Sequence, residues 1–419
     1  MAGPRLEVSQ NGQSVGHIQR ALEPEPHRFR YLPGIPPAAA VSLLVPPAEV
    51  DYFAAGPGVL HPVFAMNLPE GDLRQAIAAR FSRDLPTVFD DYALLGLVGR
   101  SQIGRLRYAA SESQPPERPL PLSIPTLLQA RGTRAVFNEL FERYLTSAGV
   151  SGVQPKVLVQ SEAPAATPGR PVDRLTFPET THIIKAFDPA RWPDLAVNEH
   201  LCLLASGSAG LPTAKVQVAD DGGVLVVERF DRDPAGLYLG FEDICSLSGR
   251  LPEGKYEGSY EDVADLVARL ILPQSETVRE LRKFFKTLVL SVGVRNGDAH
   301  LKNFGVLYAN AETGPVTLAP VFDVITTTAY LDRDRMALSL GGRKEWPSAK
   351  RLIEFGIRHC HLTPADARAA VQEVVSGIAN ARGELTRVTT AFVRQKMEAE
   401  WAYGLELDPP AAIRTTQRK

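Results

Sequence analysis

The sequence predicts an α+β chain with a small β-rich amino-terminal domain, a mixed central region and a largely helical remainder. Three observations carry that prediction. Leu6-Glu7-Val8 and Gly16-His17-Ile18 flank an Asn11-Gly12 pair, the strongest short-range signal for a hairpin, and Arg28 to Leu32 alternates like a strand. Short apolar or β-branched runs recur at 157–159, 181–187 and 224–228. From Tyr260 onward the apolar residues fall at helical spacing, most densely at Val278, Leu281, Phe284, Phe285, Leu288, Val289 and Val292.

Taken in order, residues 1–111 form the first predicted domain. Leu73, Ile77, Phe81 and Val88 keep a helical period between Gly71 and Phe89, and Ile103 to Tyr108 reads as a closing strand. The Pro-rich stretch 112–122 marks a boundary. Residues 123–232 make the second region. A short helix is expected from Thr133 to Leu145, then small residues from Ser147 to Lys156 lead into a strand. Residues 160–178 read as a loop, Thr181 to Phe187 as a strand, Asp194 to Ser206 as a helix, and Val224 to Arg232 as an apolar strand that ends in charge. Residues 233–407 are expected to be mainly helical, with a hairpin at 304–319, and the tail 408–419 is polar.

Composition excludes several classes. The 419 residues carry 46 basic and 48 acidic side chains, a net charge of −2, which does not fit a basic nucleic-acid-binding chain. The three cysteines, Cys202, Cys245 and Cys360, are far apart and give neither a disulfide framework nor a zinc spacing. No signal-peptide core and no run of about 18 apolar residues is present, so the expectation is a cytoplasmic protein without a membrane span.

The chemistry is expected in one stretch, Arg295-Asn296-Gly297-Asp298-Ala299-His300-Leu301-Lys302-Asn303-Phe304. Four residues separate Asp298 from Asn303, the spacing of a protein-kinase catalytic loop. An Asp suits the base because it accepts a proton and is anionic at neutral pH. An Asn suits a hard cation because its amide oxygen ligates without adding charge. Lys302 would face the transferred phosphate. Alone, such a loop is equally an ordinary polar turn.

Other residues fall in kinase order around it. The small residues of 151–156 would let backbone N–H groups approach phosphates. Lys185, in the middle of an apolar strand, reads as a phosphate clamp, and Glu199 as its helix partner. Glu228 and Phe230 are candidate adenine contacts. Asp323, at the end of an apolar strand, reads as a second magnesium ligand.

Ser151-Gly152-Val153-Gln154-Pro155-Lys156, His182-Ile183-Ile184-Lys185, Glu228-Arg229-Phe230-Asp231, Asn296 to Phe304 and Phe322-Asp323-Val324 resemble the corresponding segments of the HipA family. Its members are serine/threonine kinase toxins of bacterial toxin–antitoxin pairs. The resemblance spans nearly the whole chain, and Gly297-Asp298-Ala299-His300-Leu301-Lys302-Asn303-Phe304 is its most specific part. It implies a two-lobed protein-kinase-like fold that uses ATP and Mg2+. It implies Asp298 as catalytic base and Asn303 and Asp323 as metal ligands. Phosphates would be bound by Lys185 and by Ser151, Gly152, Val153, Gln154, Pro155 and Lys156. Glu228, Arg229 and Phe230 would meet adenine, while His300, Leu301, Lys302, Asn303 and Phe322 would line the nucleotide site.

The resemblance also implies an aminoacyl-tRNA synthetase substrate, glutamyl-tRNA synthetase above all, and through it arrest of translation and persistence. The implied partner is a HipB-like helix-turn-helix antitoxin, with operator DNA reached only through it. Family toxins inactivate themselves by phosphorylating a serine before the glycine loop. Here that position is Gly149, which leaves Ser147 and Ser151 as autophosphorylation candidates. Two rival readings are a small-molecule kinase of the aminoglycoside-phosphotransferase type, which would need an acidic pocket not visible near Asp298, and a non-catalytic co-repressor, which would not need the intact set Lys185, Asp298, Asn303 and Asp323.

Overall fold

In the computed structural model, the described residues are 5–21, 25–81, 89–110, 123–129, 132, 133, 135, 156–159, 180–187, 189–385 and 390–407. Two compact units are formed. The first comprises Met1–Val197, Ala214–Lys255 and Leu301–Ala319, and the second Asn198–Thr213, Tyr256–His300 and Pro320–Lys419.

Among the described residues the first unit contains three sheets. Strands β1 (Arg5–Gln10), β2 (Gln13–Gln19), β3 (Pro26–Tyr31), β4 (Tyr52–Pro57) and β5 (Leu106–Ala110) form an antiparallel sheet in the order β4-β3-β2-β1-β5. β1 and β2 meet at Asn11-Gly12, both with positive φ, as the hairpin signal predicts. In β3 the residues alternate, with His27, Phe29 and Tyr31 buried and Arg28 and Arg30 exposed. The buried face packs with Phe64, Leu94, Leu95 and Tyr108 into one apolar core. The closing strand runs later than expected because Gly104 turns the chain with φ +77° before it begins. Helix is described over Gly71–Phe81, and 82–88 lie outside the described residues.

A second sheet joins β6 (Lys156–Val159), β7 (His182–Ala186), β8 (Val216–Val218) and β9 (Val224–Glu228) in the antiparallel order β6-β7-β9-β8. A third joins β10 (Gly240–Asp243), β11 (Gly305–Tyr308) and β12 (Val316–Leu318), the last two forming the expected hairpin. The expected helix at 133–145 falls almost wholly outside the described residues.

His27 gives a pH prediction for the first unit. It is 3 % exposed, its Nδ1 accepts the Ala21 N–H at 3.2 Å, and its ring meets Tyr92 edge-on at 5.3 Å. A protonated imidazole cannot accept that bond, and burial holds the His27 pKa below its ordinary 6.5. Its contribution to stability is therefore complete above pH 6.5 and is lost as pH falls through the lowered folded value. The urea midpoint at pH 5.5 is expected to lie below that at pH 7.5. His27→Gln, which still offers an acceptor, should reduce the difference, the remainder coming from His17, His61, His182 and His200, whose pKa values burial also lowers.

The second unit is helical. Its central helix, Thr277–Gly293, buries Leu281, Phe284, Phe285, Leu288, Val289 and Val292 at once, more than one face, because helices cover it on several sides. Tyr260–Leu270, Ala349–His359, Pro364–Leu385 and Ala391–Leu405 pack against it. At its carboxyl end, a Cβ on Gly404 would lie 2.3 Å from the Gly293 carbonyl oxygen, so only glycine permits that crossing. A capping box between Ser259 and Asp262 starts the Tyr260–Leu270 helix.

Candidate functional site

The central helix hands the chain to the predicted loop through a left-handed stop. Arg295 has φ +58°, Arg295 N–H donates to Val292 O at 3.2 Å, and Asn296 N–H donates to Ser291 O at 2.7 Å. This is a Schellman motif in which arginine stands where glycine is usual. The unfavourable backbone is compensated by the side chain. The Arg295 guanidinium lies 3.7 Å from the Tyr403 ring centre and 5.1 Å from that of Trp346, with Glu400 at 3.8 Å.

The loop is then locked residue by residue. Asn296 Oδ1 accepts Asp298 N–H at 3.1 Å, an Asx turn. Gly297 N–H donates to Thr327 Oγ1 at 2.7 Å, and Thr327 N–H donates to Arg295 O at 3.1 Å. Thr327 also donates to Asp334. A Cβ on Gly297 would lie 2.0 Å from Asp334 Oδ2 and 2.5 Å from Arg335 O. Gly297→Ala is therefore expected to displace the loop and cost about 1–3 kcal/mol, the usual range for overpacking, read as a lowered urea midpoint.

Asp298 emerges from this lock with its side chain 46 % exposed. Its Oδ1 accepts the Tyr256 hydroxyl at 2.7 Å, and His300 Nε2 stands 4.0 Å away. His300 N–H donates to Asp298 O at 2.8 Å, and Tyr260 OH donates to Ala299 O at 3.0 Å. Asp323 belongs to the same unit, four residues before Thr327. It is half-buried and has φ +54°, a conformation uncommon outside glycine and the kind that collects at functional sites. Phe322 beside it is half-buried, and Glu199, on the helix Leu195–Ser208, is 2 % exposed.

The first unit holds the remaining candidates. Lys185 is 4 % exposed on β7, in register between Lys156 of β6 and Leu225 of β9. Ser147 and the glycine-loop residues Ser151, Gly152, Val153, Gln154 and Pro155 lie outside the described residues, and Lys156 is placed by its backbone alone. Leu301–Asn303 form one turn of 3-10 helix, with Leu301 and Lys302 buried and Asn303 half-buried.

One expectation changes. Lys302 does not present its amine as a solvent-facing phosphate clamp. Its Nζ donates to Met66 O at 2.5 Å and stands 3.4 Å from Glu70 and 3.6 Å from Asp243. Glu70 also takes Lys255 at 2.7 Å, and Asp243 caps the Ile244–Leu247 helix by accepting Ser246 N–H. Burial raises the Glu70 pKa, but Lys302 and Lys255 together outweigh it and leave it lowered; for Asp243 burial wins and leaves it raised. Arg229 likewise turns inward. It pairs with Asp231 at 2.6 Å, both side chains almost fully buried, and donates to Gln102 O and Thr180. The N–H groups of Glu228 and Arg229 are taken by Lys215 O and Thr181 O, and the Glu228 carboxylate pairs with Lys215 at 3.3 Å. Phe230, half-buried, meets Phe241 edge-on at 6.1 Å.

The residues that sequence reasoning missed are Tyr256, Glu70, Asp243, Thr327 and Asp334. None shares a motif or a periodicity with Asp298 or Lys302.

A family model described as the HipA-like C-terminal domain matches residues 148–382, and one described as the HipA N-terminal domain matches 6–109. The chain belongs to the HipA family. Y4mE of Sinorhizobium fredii, a protein named provisionally as a kinase, is 31% identical to this HipA-family chain over 303 residues, 67% of the chain and 68% of the relative. Y4dM of the same organism, named in the same way, is 25% identical over 309 residues, 68% and 67% of the two chains. A solved structure titled as the Shewanella oneidensis toxin–antitoxin system HipA, HipB and its operator DNA complex matches with a TM-score of 0.68 at 16% identity, over 96% of each chain. The fold is thus the α+β fold of HipA. Among the described residues no helix is long and apolar enough to cross a membrane.

Proposed function

We propose that this chain is an ATP- and Mg2+-dependent serine/threonine protein kinase and the toxin of a bacterial toxin–antitoxin pair. The observation that carries the reading is Asp298. It is a half-exposed carboxylate at the end of a buried helix, on a loop whose every residue from Arg295 to Ala299 is fixed by a named contact. That is what a base needs: an ionised acceptor of protons held in one orientation.

In the proposed reaction Asp298 orients the acceptor hydroxyl and takes its proton as the oxygen bonds to the γ-phosphorus, while the bond to the β,γ-bridging oxygen breaks and ADP leaves with that electron pair. Asn303 and Asp323 carry hard oxygen donors, and they would hold the magnesium ion. The metal, when bound, neutralises charge on the β- and γ-phosphates. Lys185 binds phosphate from β7, and the segment Ser151 to Lys156 covers it with backbone N–H groups. Adenine contact falls to the carbonyls after β9 and to Phe230, since the Glu228 and Arg229 N–H groups are already bonded. Lys302 serves as an anchor of the loop.

The domain division proposed is 1–111, 123–232 and 233–407, with the tail 408–419. The proposed substrate is an aminoacyl-tRNA synthetase, glutamyl-tRNA synthetase foremost, modified in the cytoplasm so that translation stops and persistence follows. The proposed partner is a HipB-like antitoxin that reaches operator DNA, in keeping with the HipA–HipB–operator composition of the Shewanella complex. Ser147 and Ser151 are the proposed sites of self-phosphorylation, checked by mass spectrometry of protein incubated with ATP and magnesium.

Incubating the purified chain with γ-labelled ATP, Mg2+ and a bacterial lysate tests the reading. Label in a discrete protein on serine or threonine is expected, suppressed by co-expressed antitoxin. Label confined to small molecules, or none at all, would refute it.

A further inference from the structure

Tyr256 has no part in the chemistry described so far, yet its hydroxyl donates to Asp298 Oδ1 at 2.7 Å. The two residues are 42 apart in sequence. We propose that Tyr256 is a positioning residue for Asp298, an inference that rests on Asp298 being the base. A carboxylate on a loop, 46 % exposed, would otherwise sample several rotamers. A phenol donating to one oxygen selects one of them.

The tyrosine itself makes two further contacts. Its ring meets His300 edge-on, with centres 5.0 Å apart and planes at 81°. Its carbonyl accepts the Lys344 ammonium at 3.3 Å, and Lys344 O in turn accepts Met336 N–H at 3.0 Å. The residue is 44 % exposed, so the His300 ring contact and the bond to Asp298 are what orient its side chain. His300 is reached from both directions: it donates its N–H to Asp298 O, and its ring rests on Tyr256. Tyr256 is thus joined to the Asp298 loop at two points, the carboxylate of Asp298 and the ring of His300.

Tyr256→Phe keeps the ring and its contact with His300 and removes only the hydroxyl. Protein phosphorylation by the full-length chain is expected to fall about 10- to 100-fold in kcat, the cost of a misplaced catalytic group, with KM for ATP and the urea midpoint unchanged. A purely structural tyrosine would lower the urea midpoint and leave kcat alone, which overturns the proposal. A rise in kcat or in kcat/KM for the protein acceptor would overturn it too, since the phenol would then be competing with the acceptor hydroxyl. Asp298→Asn run in parallel separates the two claims. If it retains transfer, the assignment of the base fails. If it abolishes transfer while Tyr256→Phe behaves as wild type, only the positioning role fails.

Discussion

Replacing Asp298 by Asn is expected to lower phosphoryl transfer about 10³-fold, within the roughly 10²–10⁴-fold span of a lost general base. The amide matches the carboxylate in shape and can still accept the Tyr256 hydroxyl, so the loop should keep its course. What disappears is the capacity to take a proton at neutral pH. ATP binding, read by nucleotide titration, should stay within about twofold of wild type, because loss of proton acceptance acts on the transition state. Growth arrest on expression should vanish with the activity. Arrest that survives in the variant would mean that binding, not catalysis, is what stops the cell.

Replacing Lys302 by Met is expected to cost about 3–5 kcal/mol of stability, the range for breaking a buried ion pair from one side. The Lys302 side chain is 5 % exposed between Glu70 and Asp243, and it also satisfies the Met66 carbonyl. Methionine fills the volume but leaves those groups without their cation. Asp243 would respond by taking up a proton, since its pKa is already raised by burial. Glu70 keeps Lys255, so the loss should concentrate at Asp243. Adding Asp243→Asn should then restore part of the urea midpoint, a coupling that independent sites would not show. Activity is expected to fall with stability, because Lys302 precedes Asn303 in the turn that carries the proposed metal ligand.

Much of the fold could be read from local pattern. Asn11-Gly12 announced β1 and β2, the alternation at 28–32 announced β3, and the apolar spacing from Leu281 to Val292 announced the buried helix. The strands carrying Lys185 and Glu228 lie within a residue or a few of their expected bounds. These features are local, so the residues that determine them are neighbours in sequence.

The supports of the site are a different matter. Arg295 holds a glycine-like backbone because Trp346, Tyr403 and Glu400 surround its guanidinium, and no periodicity links those positions. Tyr256 reaches Asp298 from an earlier segment with no shared motif. The burial of the Lys302 and Arg229 side chains is hidden in the sequence for the same reason. A charged residue beside a kinase-like motif reads as a ligand-binding group until the carboxylates that bury it, Asp243 and Asp231, are in place.

The central claim is that Lys185, Asp298, Asn303 and Asp323 serve a single magnesium-bound triphosphate. A crystal structure of the chain with Mg2+ and a non-hydrolysable ATP analogue tests it most directly. The predicted result has the Lys185 amine on a phosphate, the Asn303 and Asp323 oxygens on the metal, and the Asp298 carboxylate facing the γ-phosphate with room for a hydroxyl between them. A nucleotide bound elsewhere, or these four side chains directed into separate regions around it, would contradict the account.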